Sequence, residues 1–230
     1  DPDQRAAGAA RYRALCEFVA ELGGEMMLLD GGRKRPGATP QEVDDHIHRT
    51  AETANALGEY ARSLGLTVAW HQHWGSIYET REPFDRLMAR TDPDLVKFCP
   101  DTGQLALGDF DVVETIRDYA DRVGYVHYKD LTFAGRPEGP LWEGGPDLPT
   151  DEGAYNVDSR GRWVELGRGV IDYPAVTAVL REAGFDGWIV DDFDMTAYAP
   201  RASVAACKDY INHALGIWGE RDIRRGIYHG

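Results

Sequence analysis

Basic residues are scarce in this sequence. Its 230 residues include 25 Lys and Arg against 39 Asp and Glu, which gives a formal net charge of -14. A protein with this balance repels phosphate backbones and anionic lipids, so we expect neither nucleic acid nor a membrane as its partner. No apolar run approaches the roughly 20 residues of a membrane span, and the opening stretch DPDQRAAGAA lacks the pattern of a signal peptide. We therefore expect a soluble, cytoplasmic protein.

Cysteine is scarce as well. The three cysteines, Cys16, Cys99 and Cys207, lie in separate predicted elements and never in CxxC spacing. Neither a disulfide framework nor a thiolate zinc site is therefore predicted. The sequence also lacks internal repeats of solenoid period. Because 43% of its residues are hydrophobic, the chain can bury one well-packed core, and we expect a single domain over residues 1–230.

Apolar periodicity predicts strands that alternate with helices. The strand-like runs are MMLLD, LTVAWHQH, DLVKFC, VGYVHYKDL and DGWIVDDFD, with helical patterns before and after them. This alternation is typical of right-handed βαβ units in a parallel sheet. Residues 131–162, which are rich in Gly, Pro and Asp, interrupt the pattern and predict a functional lid or a mobile segment. A short strand is predicted after it, around WVEL.

The number of strands leaves two architectures open. Six predicted strands, one of them weak, fall short of the eight that a (β/α)8 barrel needs, and the chain opens on a helix. One interpretation is a TIM barrel whose first two βα units are missing before Asp1. The other is an open doubly wound sheet, for which six strands are a normal number.

Ionisable residues follow the carboxyl ends of four predicted strands. They are His71, His73 and Glu79, then Asp101, then His127, Lys129 and Asp130, and finally Asp191, Asp192 and Asp194. Parallel-strand enzymes carry their chemistry at this edge, because the loops there converge on one site. Simpler roles also exist for single members: His71 as a hydrogen-bonded core residue, Asp130 as a cap of its loop, and Asp191 and Asp194 as solvated carboxylates.

Strand parity directs several of these side chains to one side. Alternation places His71 and His73 on one face and Val68 and Trp70 on the other. Oxygen and imidazole donors without thiolate suit a divalent cation such as Mn²⁺, Co²⁺, Zn²⁺ or Mg²⁺. Several carboxylates buried without a cation would each cost several kcal/mol. The pattern therefore predicts a divalent-metal site at the carboxyl ends of the strands.

Ordered motifs over residues 26–215 resemble a known family. HQHWGSIYET, CPDTGQ, VHYKDL, ELGRGVIDYP and WIVDDFD are similar to motifs of the xylose-isomerase-like TIM barrels, the sugar phosphate isomerase/epimerase family, and most closely to inosose (keto-inositol) dehydratases. The resemblance implies a (β/α)8 TIM barrel with one divalent metal, preferably Mn²⁺. The implied ligands are Glu79, Asp101, His127 and Asp192.

This sequence departs from the family pattern at one of these ligands and at one further position of the motifs. Asp192 is one methylene shorter than the usual glutamate, so Asp191 and Asp194 stay open as alternative ligands. Gln104 stands where a histidine is usual, which weakens any reading as a multi-metal endonuclease.

The resemblance implies an isomerase/epimerase or a dehydratase that acts on a sugar or keto-inositol through an enediolate. His71 or His73 would remove the proton, and Lys129 would donate to the developing oxyanion or to a departing hydroxyl. The expected substrate contacts are Trp74, Gln104, Trp142 and Arg168. No phosphate cradle is recognisable, which favours an unphosphorylated substrate. A catalytically inactive sugar-binding barrel, an abasic-site endonuclease and a homo-oligomer are left open.

Overall fold

The computed structural model describes residues 2–34, 36–133, 161–196 and 198–218. Its helices are α1 (Pro2–Glu21), α2 (Pro40–Ser63), α3 (Arg81–Arg90), α4 (Thr102–Leu107), α5 (Val112–Asp118), α6 (Tyr173–Glu182) and α7 (Pro200–Asp209). Its strands are β1 (Met26–Asp30), β2 (Thr67–His71), β3 (Val96–Cys99), β4 (Tyr125–Tyr128), β5 (Asp130–Phe133), β6 (Gly161–Val164) and β7 (Trp188–Asp191). Every strand and helix predicted from periodicity is found here, whereas the short helix α4 escaped the sequence analysis.

The described residues form two compact units. The first contains the residues up to Cys99 together with Arg122–Tyr125, and the second contains Pro100–Asp121 and the described residues from Val126 onward. The expectation of a single domain over residues 1–230 stays a prediction.

A parallel sheet in the order β1-β2-β3 forms the centre of the first unit. In β2, Val68, Ala69 and Trp70 are all buried, as in a strand that is covered on both faces. The Trp70 ring meets the Tyr78 ring edge-on at 5.1 Å between centroids. This confirms the parallel arrangement that the alternation of strands and helices predicted for these three strands.

The order Thr39, Pro40, Gln41, Glu42 is typical of a helix start, and helix α2 begins there. The Thr39 side chain accepts a hydrogen bond from the Glu42 N–H, and the Glu42 carboxylate accepts one from the Thr39 N–H. This reciprocal pair is a capping box, and Pro40 at the first turn needs no hydrogen-bond acceptor for its nitrogen. The cap fixes the start of the longest described helix, which packs on the sheet through Ile47, Ala51, Ala54 and Ala61.

The second unit contains β4 paired with β7, and β5 paired with β6. The run VGYVHYKDL, predicted as one strand, is interrupted at Lys129, so β4 ends before it and β5 begins after it. The two ends of the Gly-rich segment also pair: β5 and β6 run antiparallel, with Leu131 opposite Trp163. The prediction of a lid without structure is therefore wrong for these two ends, because their backbones form ladder hydrogen bonds. Residues 134–160, which include Trp142, lie outside the described residues.

The three cysteines, Cys16, Cys99 and Cys207, are buried and free. None of the helices that the structure describes has the length and apolarity to cross a bilayer.

Candidate functional site

Asp101 lies at the start of α4 and is fully buried. One carboxylate oxygen accepts a hydrogen bond from the Gln104 N–H at 2.9 Å and so caps the helix. The other oxygen lies 3.6 Å from His127 Nδ1 and 3.8 Å from Lys129 Nζ. The DTG motif therefore uses one oxygen for the backbone and leaves the other facing two nitrogen groups.

His127 projects from β4 between two carboxylates. Its Nδ1 lies 3.3 Å from Asp192 Oδ2 as well as 3.6 Å from Asp101 Oδ2. Burial, the largest single influence, lowers the pKa of His127, but hydrogen bonds and charge from the two carboxylates raise it overall to about 9. With no metal ion bound, the imidazole is therefore protonated at neutral pH, and the two carboxylates stabilise its charge.

Lys129 is the second buried cation of this unit, with only 3% of its side chain exposed. Its ammonium lies 2.8 Å from Asp192 and 2.8 Å from Asp194. Burial lowers the pKa of Lys129, but the surrounding carboxylates, with Asp101 foremost, raise it above its ordinary value. The lysine is therefore charged despite its burial.

Asp192 follows β7 and is the aspartate in DDFD that faces His127. Its backbone N–H donates to the carbonyl of Tyr128, which fixes the end of β7 to β4. The hydrogen bond from His127 lowers the pKa of Asp192, burial opposes this, and Lys129 lowers it further. Asp192 is thus ionised over the whole neutral range.

The two neighbouring aspartates have different surroundings. Asp191 interacts with the Cys207 thiol, and burial raises the pKa of Asp191 to about 7. Asp194 is 48% exposed and contacts Lys129. Among the three candidates for the last metal ligand, Asp192 is the one whose oxygen lies close to His127.

Thr102 and Gly103 hold these groups in place. Thr102 Oγ1 accepts from the Lys129 N–H and lies 2.9 Å from the Lys129 carbonyl oxygen, so it spans the break between β4 and β5. A Cβ atom on Gly103 would lie 2.6 Å from the Trp163 ring and 2.9 Å from Lys129 Cγ. Only glycine fits here, because both neighbours occupy the space of a side chain.

Asp130 fastens the turn after β6. Its two carboxylate oxygens accept hydrogen bonds from four backbone N–H groups, those of Leu131, Gly167, Gly169 and Ile171. The sequence left open a cap of the loop after its own strand, whereas the structure has Asp130 at the start of β5, where it caps the turn after β6 instead.

Arg168, expected to contact substrate, lies in a buried ion pair. Its guanidinium donates to Glu165 at 2.8 Å and to the Tyr198 hydroxyl at 3.0 Å. Glu165 is 2% exposed and also accepts hydrogen bonds from the hydroxyls of Thr196 and Ser203. Sequence reasoning missed Glu165, although a carboxylate directly after the strand in WVEL was a visible signal. Gln104 is buried within α4, and the substrate contacts expected of Gln104 and Arg168 stay predictions.

The first unit carries the remaining predicted site residues. Glu79 pairs with Lys34 and accepts a hydrogen bond from the Gly75 N–H at 3.1 Å. The rings of His71 and His73 lie 5.7 Å apart, which agrees with their shared parity. Trp74 is half-buried in the following turn. Lys34, a partner of Glu79, was not anticipated from the sequence.

The donors in the second unit fit a divalent cation. Ligand atoms that share one cation at bond lengths of about 2.0–2.2 Å lie about 3.0–3.5 Å apart. His127 Nδ1 lies 3.3 Å from a carboxylate oxygen of Asp192 and 3.6 Å from one of Asp101, and each of these two separations is close to that of neighbouring ligand atoms on one ion. Carboxylate oxygen and imidazole nitrogen are the donors that such ions accept.

Comparison with known proteins places this geometry in a family. A family profile described as "Xylose isomerase-like TIM barrel" matches residues 1–205. The chain belongs to the xylose isomerase-like TIM barrel family. The resemblance stated from the motifs and the predicted TIM-barrel fold are thereby confirmed.

A relative and two solved structures add detail. An inosose dehydratase of Lacticaseibacillus casei is 34% identical over 180 residues, which cover 77% of this chain and 58% of that protein. The chain thus spans less than two thirds of this relative. A D-tagatose 3-epimerase-like protein superimposes with a TM-score of 0.69 at 17% identity over 94% of this chain and 71% of the other. An IOLI protein, crystallised with a zinc atom, gives 0.65 at 16% identity over 91% and 70%. The two structures show likeness of fold.

Proposed function

We propose that this chain is part of a divalent-metal-dependent enzyme that acts on an unphosphorylated sugar or keto-inositol. The reaction is an isomerisation, an epimerisation or a dehydration through an enediolate. The observation that carries the proposal is the meeting of Asp101, His127 and Asp192 with the buried ammonium of Lys129 in a chain of this family. The inosose dehydratase named among its relatives supports the substrate class.

Asp101, His127 and Asp192 are the proposed metal-holding residues of the second unit. Mn²⁺ is the preferred ion, with Co²⁺, Zn²⁺ and Mg²⁺ as alternatives. The zinc in the IOLI structure supports a divalent metal in this family. When bound, the cation supplies Lewis-acid polarisation of a substrate carbonyl. Glu79 as a further ligand stays a prediction from the sequence.

Lys129 is the proposed acid. A charged ammonium beside Asp192 can donate a proton to a substrate oxygen on which negative charge develops, or to a departing hydroxyl. Burial adds to its effect, since a charge in a water-poor pocket interacts more strongly with its neighbours than a solvated one. His71 or His73 as the base that removes the α-proton stays a prediction from the sequence.

The pairing of the cations supports a neutral substrate. Lys129 is shared between Asp192 and Asp194, and Arg168 is held by Glu165. A phosphate group bound by either of these two described cations would displace its carboxylate, which leaves a buried carboxylate without its partner at a cost of several kcal/mol. A polyhydroxylated ketone needs only hydrogen bonds and one polarised carbonyl.

Proton exchange next to the carbonyl tests the proposal directly. We expect the protein, reloaded with Mn²⁺, to exchange the α-proton of inosose for deuterium in D₂O, because isomerase, epimerase and dehydratase pathways all begin with loss of this proton. Lys129→Met should slow consumption of inosose at least tenfold, while Lys208→Met, at an exposed position on α7, serves as the matched control. Absence of both exchange and product with inosose and with simple ketoses would refute the enzymatic proposal and favour a sugar-binding role.

A further inference from the structure

We propose that Trp163 is a positioning residue for the Lys129 ammonium. The proposal rests on the proposed function, in which Lys129 donates a proton, and it adds a residue and a structural element to that function. The antiparallel pair β5–β6 then has a role in the site. Its strand β6 carries Trp163, whose indole ring contacts Lys129, the residue that follows β4.

The two side chains are in close contact and both are buried. Lys129 Nζ lies 4.8 Å from the centre of the Trp163 ring, within the range of a cation–π contact. Trp163 is 8% exposed, and Lys129 lies deeper still. A buried ammonium has lost most of its water, so the negative face of the indole replaces part of that solvation. The ammonium also contacts the carboxylates of Asp192 and Asp194.

Trp163 restricts the positions that the Lys129 ammonium can occupy. A lysine side chain has four rotatable bonds, and without a wall its Nζ could follow the half-exposed Asp194 toward solvent. The indole closes one side of the ammonium, while Asp192 lies 2.8 Å away. Trp163 therefore keeps the ammonium beside the aspartate that also faces His127.

The surrounding backbone is built to admit this contact. Gly103 leaves open the space in which the Trp163 ring and the Lys129 stem meet, since any Cβ there would lie within 3 Å of both. Leu131 lies opposite Trp163 in the β5–β6 ladder, directly after Asp130, so the position of the ring is tied to the chain that carries Lys129. A tryptophan that served only to fill a core would not need a glycine opposite a charged stem.

Kinetics of Trp163 variants test the role. We expect Trp163→Leu to lower kcat for inosose about thirtyfold, the size of a desolvated cation–π contact, with KM within twofold of wild type. Trp163→Phe, which keeps an aromatic face, should recover part of this loss. In a Lys129→Met background Trp163→Leu should cost nothing further. Trp188→Leu, at an exposed tryptophan of β7, is the matched control. Equal loss in the Leu and Phe variants, or a loss that persists without Lys129, would overturn the proposal.

A spectroscopic measurement tests the same contact without turnover. The chain has four lysines, Lys34, Lys97, Lys129 and Lys208, so their 13Cε resonances can be assigned by substitution. We expect the Cε protons of Lys129 to be shifted upfield by the indole ring current, and Trp163→Leu to remove the shift while Mn²⁺ stoichiometry is unchanged. An unshifted Lys129 signal in wild type would overturn the positioning role even in an active enzyme. Failure of wild type to bind metal or exchange protons, with the shift present, would instead contradict the proposed function.

Discussion

Replacing Arg168 with methionine decides between two roles for this residue. The sequence predicts a substrate contact, whereas the structure buries Arg168 against Glu165 and Tyr198. Methionine keeps much of the side-chain volume but leaves the Glu165 carboxylate, which is almost inaccessible to solvent, without its cation. Breaking a buried ion pair from one side costs about 3–5 kcal/mol. We therefore expect Arg168→Met to lower the free energy of unfolding by about this amount.

Urea denaturation followed by circular dichroism measures this loss. Arg81→Met is the matched control, because Arg81 forms a half-exposed i,i+4 pair with Asp85 that is worth less than about 0.5 kcal/mol. Combining Arg168→Met with Glu165→Leu should restore much of the stability, since both charges are then gone. A loss below about 1 kcal/mol together with a raised KM would refute the buried-pair reasoning and favour the substrate contact.

Two further predictions concern the same unit. Gly103→Ala should lower the free energy of unfolding by about 1–3 kcal/mol, because the new Cβ overlaps the Trp163 ring and Lys129 Cγ. Ala106→Gly in the same helix, which removes a buried methyl group and adds no overlap, provides the comparison. In the metal-free protein His127 has a folded-state pKa of about 9, above its ordinary 6.5, so its stabilising effect is complete below pH 6.5 and is lost as the pH rises through 9. Urea midpoints in the presence of a chelator should therefore fall over this range, by about 3 kcal/mol in free energy. His127→Gln should lack this decrease, and an equal decrease in the variant would assign it to other groups.

Local patterns in the sequence were sufficient to predict the helices and strands and the edge of the sheet at which the site residues lie. The spacing of apolar residues predicts β2, and the Thr39-Pro40-Gln41-Glu42 order predicts the start of α2, because both depend on neighbours along the chain. Parallel strands share a carboxyl edge, so Asp101, His127 and Lys129 could be assigned to one site from strand order alone. Their proximity in the second unit agrees with that assignment.

Pairings between distant residues could not be obtained in this way. The Lys129 contact with Asp192 spans 63 positions and the Arg168 contact with Tyr198 spans 30. Which aspartate of DDFD meets His127 depends on the twist and pairing of β4 and β7, which a single sequence does not encode in any local pattern. The antiparallel pairing of β5 with β6 was hidden for a similar reason, since both strands are short and flank a long Gly-rich segment.

Metal binding by the wild-type protein and by one ligand variant is the most direct test of the proposed metal site. After dialysis against a chelator, we expect the protein to bind one Mn²⁺ per chain, observed as loss of the free-ion EPR signal. Asp192→Asn should weaken binding at least tenfold, because an amide oxygen replaces a charged donor. Asp111→Asn, an exposed helix cap for which asparagine is equally suitable, should leave it unchanged. Wild-type protein that binds no Mn²⁺, or an Asp192→Asn variant that binds it as tightly as wild type, would contradict the assignment of this site.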